Sequence, residues 1–169
     1  MVRQEDAPIL GRYFEGLSEA TRQRFGPHPF TVAEAQKLCA EIDYARLLRL
    51  IAVTGDSGQE RVIAYFILTL PVRDSERNRY TAYGIGLEDG RDCTFAPSVA
   101  DAYQDRGLGS ALMPRILDLA RRLGFRRMVL QGGTQAANLR GIHFYEKFGF
   151  RRVGSFQTKV DNHDMMLTL

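Results

Sequence analysis

The stretch Val99-Ala100-Asp101-Ala102-Tyr103-Gln104-Asp105-Arg106-Gly107-Leu108-Gly109-Ser110 carries the clearest chemical signal in the chain. Gly107 and Gly109 let the backbone turn sharply and come close to a ligand. The amphipathic pattern that follows reads as a helix, whose start leaves about four N–H groups unsatisfied at the positive end of its dipole. Strand, glycine turn and helix start together make a place for a pyrophosphate. No Gly-Lys-Ser/Thr follows, so this is not a Walker loop, and the dinucleotide-binding GxGxxG is absent. A tight strand-to-helix turn without a ligand would carry the same glycines, and both readings stand. Cys39 and Cys93 lie far apart with no CxxC or Cys/His spacing, which suggests neither a metal site nor a disulfide scaffold.

The elements that must position this turn follow from periodicity. Ile9, Leu10, Tyr13, Phe14 and Leu17 recur at helical spacing over residues 8–25, with a break at Gly16–Ser18 where Ser18 can cap a second short helix. Thr31 and Glu34 form a capping box for a helix to about Ile42. Residues 45–54 and 61–70, either side of Gly55-Asp56-Ser57-Gly58, predict a hairpin. Residues 71–92 read as part strand, part loop. A strand is expected from Cys93 to Ala100 and a helix from Gly107 to Leu123, with Leu108, Ala111, Leu112, Ile116, Leu119 and Leu123 on one stripe. Pro114 lies inside that helix, where it removes a hydrogen bond to the Ser110 carbonyl and predicts a bend. Arg127–Gln131 reads as a strand, Asn138–Phe148 as a helix stopped by Gly149, and 151–158 and 163–169 as closing strands. Helices, then antiparallel strands, then alternating strand and helix predict a mixed α/β sheet with at least one parallel crossover.

Two segments resemble the GNAT acyltransferase superfamily. Gln104-Asp105-Arg106-Gly107-Leu108-Gly109 is similar to its Gln/Arg-x-x-Gly-x-Gly/Ala motif. Asn138-Leu139-Arg140-Gly141-Ile142-His143-Phe144-Tyr145-Glu146-Lys147-Phe148-Gly149-Phe150 is similar to its second motif, in which an Asn opens a helix and a Tyr precedes the closing Gly-Phe. Asp164–Leu169 resembles the family's last strand, so the likeness runs over residues 45–169. It implies a central splayed, mostly antiparallel sheet of six to seven strands with helices on both faces. It also implies acetyl-CoA as co-substrate, no metal, and acyl transfer to an amine. Gln104, Asp105, Arg106, Gly107, Leu108, Gly109 and Ser110 would bind the pyrophosphate mainly through backbone N–H groups. Val99 would offer backbone groups to the pantetheine arm and to the thioester carbonyl, where a donor stabilises the oxyanion. Asn138 would bond the pantetheine arm or cap its helix. Tyr145 would act as general acid toward the departing thiolate, since a phenol with pKa near 10 can donate that proton. A core tyrosine beside Phe144 and Phe148 would have the same spacing.

One position departs from the family. An alkylamine with pKa near 10.4 must lose a proton before it attacks, and many relatives carry a Glu for this where Thr94 stands. Glu88, Asp89, Asp92, Cys93 and His143 are the other candidates, and the base is left unassigned. The stretch 13–25 resembles the opening of GNAT domains that acylate protein lysines, which favours a lysine acceptor over a small-molecule amine. A non-catalytic acyl-CoA-binding module is the alternative that Thr94 keeps open.

The composition fits one compact domain over residues 1–169, 44% hydrophobic with a net charge of +3. All but Lys37, Lys147 and Lys159 of the 23 basic residues are arginine. The pairs 121–122, 126–127 and 151–152 form no basic stripe, so no nucleic-acid partner is expected. No apolar run approaches the roughly 18–20 residues that span a bilayer, and the first residues do not read as a signal peptide. A cytoplasmic, reduced setting without a membrane partner is expected, with monomer or homodimer left open.

Overall fold

The computed structural model describes residues 1–169, in two compact units: Met1–Leu68 with Ala96–Gly109, and Thr69–Phe95 with Ser110–Leu169. In the first unit, Pro8 stands in the opening turn of α1 (Ala7–Gly16), where its missing N–H is no loss. Ser18 then accepts from the Thr21 N–H at 3.3 Å and starts α2 (Glu19–Arg24), at the predicted break. Thr31 caps α3 (Val32–Ala40) by accepting from the Glu34 N–H at 3.1 Å. The hairpin is present as β1 (Leu47–Thr54) and β2 (Arg61–Thr69). A Cβ on Gly55, whose φ is 110°, would stand 2.6 Å from the Gln59 carbonyl oxygen, so only glycine fits that turn. Leu10 and Phe14 of α1, Leu38 of α3 and Val62, Tyr65 and Ile67 of β2 share one core.

The second unit departs from the expectation for residues 71–92. Instead of part strand, it holds a helix, α4 (Asp74–Ala82), with only Glu76 and Tyr80 buried. Polar contacts hold α4 in place of an apolar stripe. Arg79 pairs with buried Asp164 through two bonds of 2.8 and 3.0 Å, and the Tyr80 hydroxyl donates to the Met165 carbonyl at 3.0 Å. Such a helix leaves no 3.6-residue hydrophobic period to read.

β3 (Asp92–Val99) begins in this unit and runs into the first. Its parallel partner is β4 (Arg127–Leu130), reached through α5 (Leu108–Arg122), which continues through Pro114. Gly124, at φ 85°, closes α5. β5 (Thr134–Gln135) was not expected; α6 (Leu139–Lys147), β6 (Arg151–Gln157) and β7 (Asp161–Thr168) were. β7 runs antiparallel to β4, β5 and β6, and the strand order is β1-β2-β3-β4-β7-β5 with β6 on β7. The result is a seven-stranded, mostly antiparallel mixed sheet. No helix is long and apolar enough to cross a membrane.

Candidate active site

In the first unit the turn after β3 is built by side chains that bind backbone. The Gln104 Nε2 donates to the Val99 carbonyl at 2.9 Å and to the Thr21 Oγ1 at 3.1 Å. The Asp101 carboxylate accepts from the Ser18 hydroxyl at 2.6 Å, the Ser18 N–H at 2.9 Å and the Thr21 hydroxyl at 2.7 Å. Burial works to raise the Asp101 pKa, but these bonds outweigh it and hold the carboxyl below its ordinary range. Asp101 is a residue that the local pattern did not single out, because its partners lie on α2.

Gly107 has φ 78°, a conformation that favours glycine, and a Cβ there would meet nothing within 4 Å. Asp105 also takes positive φ, at 57°. Asp105 and Arg106 are exposed, and Leu108 and Gly109 form the first turn of α5. Gly109 is thus helical, so its importance differs in kind from that of Gly107. Gln104 is structural through its side chain, and the Val99 carbonyl is already engaged.

The second unit holds Ser110, Asn138 and Tyr145. The Ser110 hydroxyl accepts from Lys147 Nζ at 3.1 Å, which brings a cation to the N-terminal end of α5. The Asn138 Oδ1 accepts from the Gly141 N–H at 3.2 Å, so this residue caps α6. A Cβ on Gly141 would collide with the Asn138 side chain, which makes glycine part of the cap. Tyr145 is half-buried, with its ring 5.4 Å from Phe144 and 5.6 Å from Phe150. Burial pushes its pKa up, and its hydroxyl makes no hydrogen bond within the protein. A phenol in that state stays protonated at neutral pH and its O–H is available to a ligand, while the burial that keeps it protonated also makes it a weaker acid.

The candidate bases divide sharply. Asp92 is fully buried and paired with Arg127 at 2.8 and 2.6 Å. Asp89 pairs with Arg77 at 2.8 Å, and Glu88 with Arg91 at 3.4 Å and Arg126 at 3.2 Å. The Cys93 thiol is pushed up to about 12, first by burial and then by Asp92. His143 is exposed on α6. Thr94 is fully buried, and its hydroxyl donates to the Gln131 Oε1 at 3.4 Å. The same oxygen accepts from the Thr69 hydroxyl at 3.0 Å. At the position where many relatives carry a carboxylate, the protein has a neutral polar trio, whose members Thr69 and Gln131 lie too far from Thr94 in sequence for a local pattern to join them.

Residues 94–150 match the model described as the acetyltransferase (GNAT) family. The acetyltransferase PA5475 of Pseudomonas aeruginosa is 31% identical over 129 residues; these are 75% of this chain, which spans only 61% of that relative's length. The GNAT domain of S. lividans PAT superposes with a TM-score of 0.76 at 22% identity, covering 99% of this chain and 88% of that one. Aminoglycoside acetyltransferase AAC(6')-Ib in complex with coenzyme A gives 0.69 at 21% identity, covering 98% of this chain and 91% of that one. At these identities the structural likeness is one of fold.

Proposed function

Because the chain belongs to the GNAT acetyltransferase superfamily, we propose that it moves the acetyl group of acetyl-CoA to a primary amine, with Tyr145 as general acid. The amine nitrogen attacks the thioester carbonyl carbon, the C–S bond breaks, and the thiolate takes the Tyr145 proton. The nitrogen releases its proton to solvent and the Tyr145 phenolate takes one back from solvent, so the products are an amide, free coenzyme A and the enzyme in its starting state. No metal is needed in this scheme. The turn from Gln104 to Ser110 would hold the pyrophosphate by backbone N–H groups. Val99 would contribute through its backbone and Asn138 by fixing the start of α6.

The observation that carries this reading is the Tyr145 hydroxyl. It is protonated, half-buried and without a protein partner, in the motif where the family places its acid. Core tyrosines of this chain differ: the hydroxyls of Tyr13 and Tyr80 are bonded to Ser98 and the Met165 carbonyl. Amine-dependent release of thiol from acetyl-CoA tests the proposal. Two acceptor classes fit it, a protein lysine and a small-molecule or terminal amine. The likeness of the opening stretch 13–25 to lysine-acylating domains supports the first, and the engaged carboxylates around Thr94 support the second.

The engaged carboxylates favour one second reading, an acyl-CoA-binding module without turnover. Tight acetyl-CoA binding with no thiol release for any amine would establish it.

A further inference from the structure

The neutral trio at Thr94 lies where the sheet changes. The parallel ladder of β3 and β4 ends at Phe95↔Leu130, and the Gln131 N–H donates to the Phe95 carbonyl at 2.9 Å as its last bond. Thr94 stands opposite Val129, and Gln131 is two residues beyond Val129, so Thr94 and Gln131 share one face of the sheet. The next residue is fixed as well. Gly132 N–H donates to the Glu76 Oε1 at 2.8 Å, and Glu76 is only 1% exposed.

Gln131 is therefore held on both sides, and its side-chain carbonyl is filled by two hydroxyls. That orients the amide with Oε1 toward Thr69 and Thr94 and Nε2 away from them. The Nε2 carries two N–H donors and has no partner in the protein. A half-buried primary amide so placed can donate to an oxygen but cannot take a proton from an amine. The threonine hydroxyls are no better as bases, and Asp92, Asp89 and Glu88 are occupied by arginines. The buried Glu76 is held by the Gly132 N–H and the Ser75 hydroxyl, and His143 lies exposed on α6, away from the β3–β4 ladder that carries Thr94.

We propose that Gln131 orients the acceptor by donating to an oxygen next to its amine, and that this acceptor is an α-amine flanked by a carbonyl, as in an amino-acid amide or a peptide N-terminus. The proposal rests on the acetyltransferase reading and narrows it, away from lysine side chains. Two independent requirements meet in this class. The donor pair needs an oxygen a fixed short distance from the nucleophile, and the carbonyl beside an α-amine supplies it. A site whose nearby carboxylates are all engaged favours an amine that is already neutral, and α-amines have pKa near 7.7–8.0 against about 10.4 for lysine. At pH 7.5 the neutral fraction alone favours the α-amine by about 200-fold.

The test is steady-state thiol release between pH 6 and 10, with alaninamide and with an Nα-blocked lysine amide as acceptors. The native protein should show kcat/KM about 200-fold higher for alaninamide at pH 7.5, and the rising limb for each acceptor should follow that acceptor's own pKa. Gln131→Glu keeps the size and adds a carboxylate, so its limb should move to lower pH and the preference should narrow. Gln131→Ala should raise the KM for alaninamide about tenfold and leave the KM for acetyl-CoA unchanged. Equal or better use of the lysine amide at pH 7.5 would overturn the proposal. A single acidic limb shared by both acceptors, measured on the native protein alone, would do the same by revealing a base on the enzyme. Absence of thiol release with every amine at every pH would overturn the acetyltransferase reading itself, and the proposal with it.

Discussion

The side-chain amide of Gln104 closes the turn after β3 onto the carbonyl of Val99, at 2.9 Å. In the proposed pyrophosphate turn the N–H groups would face the ligand, and the Gln104 side chain satisfies a carbonyl from within the turn. Gln104→Glu replaces the donor with an acceptor and sets two oxygens against each other. It should cost about 1–3 kcal/mol of stability, the usual penalty for an unsatisfied polar group, and weaken acetyl-CoA binding. Urea titration and calorimetry on the same variant measure the two effects.

Gly107 and Gly109 should separate by mechanism. Gly107 needs φ 78°, and a Cβ there is strained by about 1–2 kcal/mol even though it meets open space. Gly107→Val should weaken acetyl-CoA at least about tenfold and lower stability. Gly109 lies within α5, so Gly109→Ala should be neutral or stabilising by up to about 1 kcal/mol. Any affinity lost in Gly109→Ala then reports crowding of the ligand, with the fold as an internal control. Unchanged affinity in both variants would remove the pyrophosphate assignment.

Asp101 should make stability depend on pH. Hydrogen bonds from Ser18 and Thr21 hold its folded-state pKa below the unfolded value. For a depressed carboxyl the stabilisation is fully present above the unfolded pKa near 3.9, and is lost as pH falls through the lower folded value. The urea midpoint of the native protein should therefore drop on the acid side of pH 4 more steeply than that of Asp101→Asn. Parallel curves for the two proteins would contradict this.

Much of this architecture was legible because it is local. Ser18, Thr31 and Asn138 each cap a helix by bonding an N–H three residues on, and capping patterns have that range. The glycine turn was legible for the same reason. The parts that escaped are non-local. Asp101 reaches Ser18 across 83 residues, Gln131 reaches Thr69 across 62, and Glu76 reaches Gly132 across 56. No short-range pattern records such partners. α4 escaped because Arg79, Tyr80 and Glu76 hold it by polar bonds, and β5 because two residues carry no alternation.

Tyr145→Phe removes one hydroxyl and keeps the ring against Phe144 and Phe150. The hydroxyl has no partner in the protein, so its loss should leave stability almost unchanged. Tyr80→Phe is the contrasting control. Its hydroxyl donates to the Met165 carbonyl in a fully buried site, and that change should cost about 1 kcal/mol or more with kcat preserved. If Tyr145 protonates the leaving thiolate, kcat should fall about 10²–10⁴-fold, the usual worth of a positioned general acid. The lower end is expected, because a thiol with pKa near 8.5 already leaves readily. The KM for acetyl-CoA should move little, since the lost interaction forms mainly in the transition state. Steady-state kinetics on the native protein and both variants, each checked by urea titration, gives the comparison. A Tyr145→Phe kcat within about twofold of the native value, far short of what a general acid contributes, would take Tyr145 out of the mechanism and leave it a packing residue.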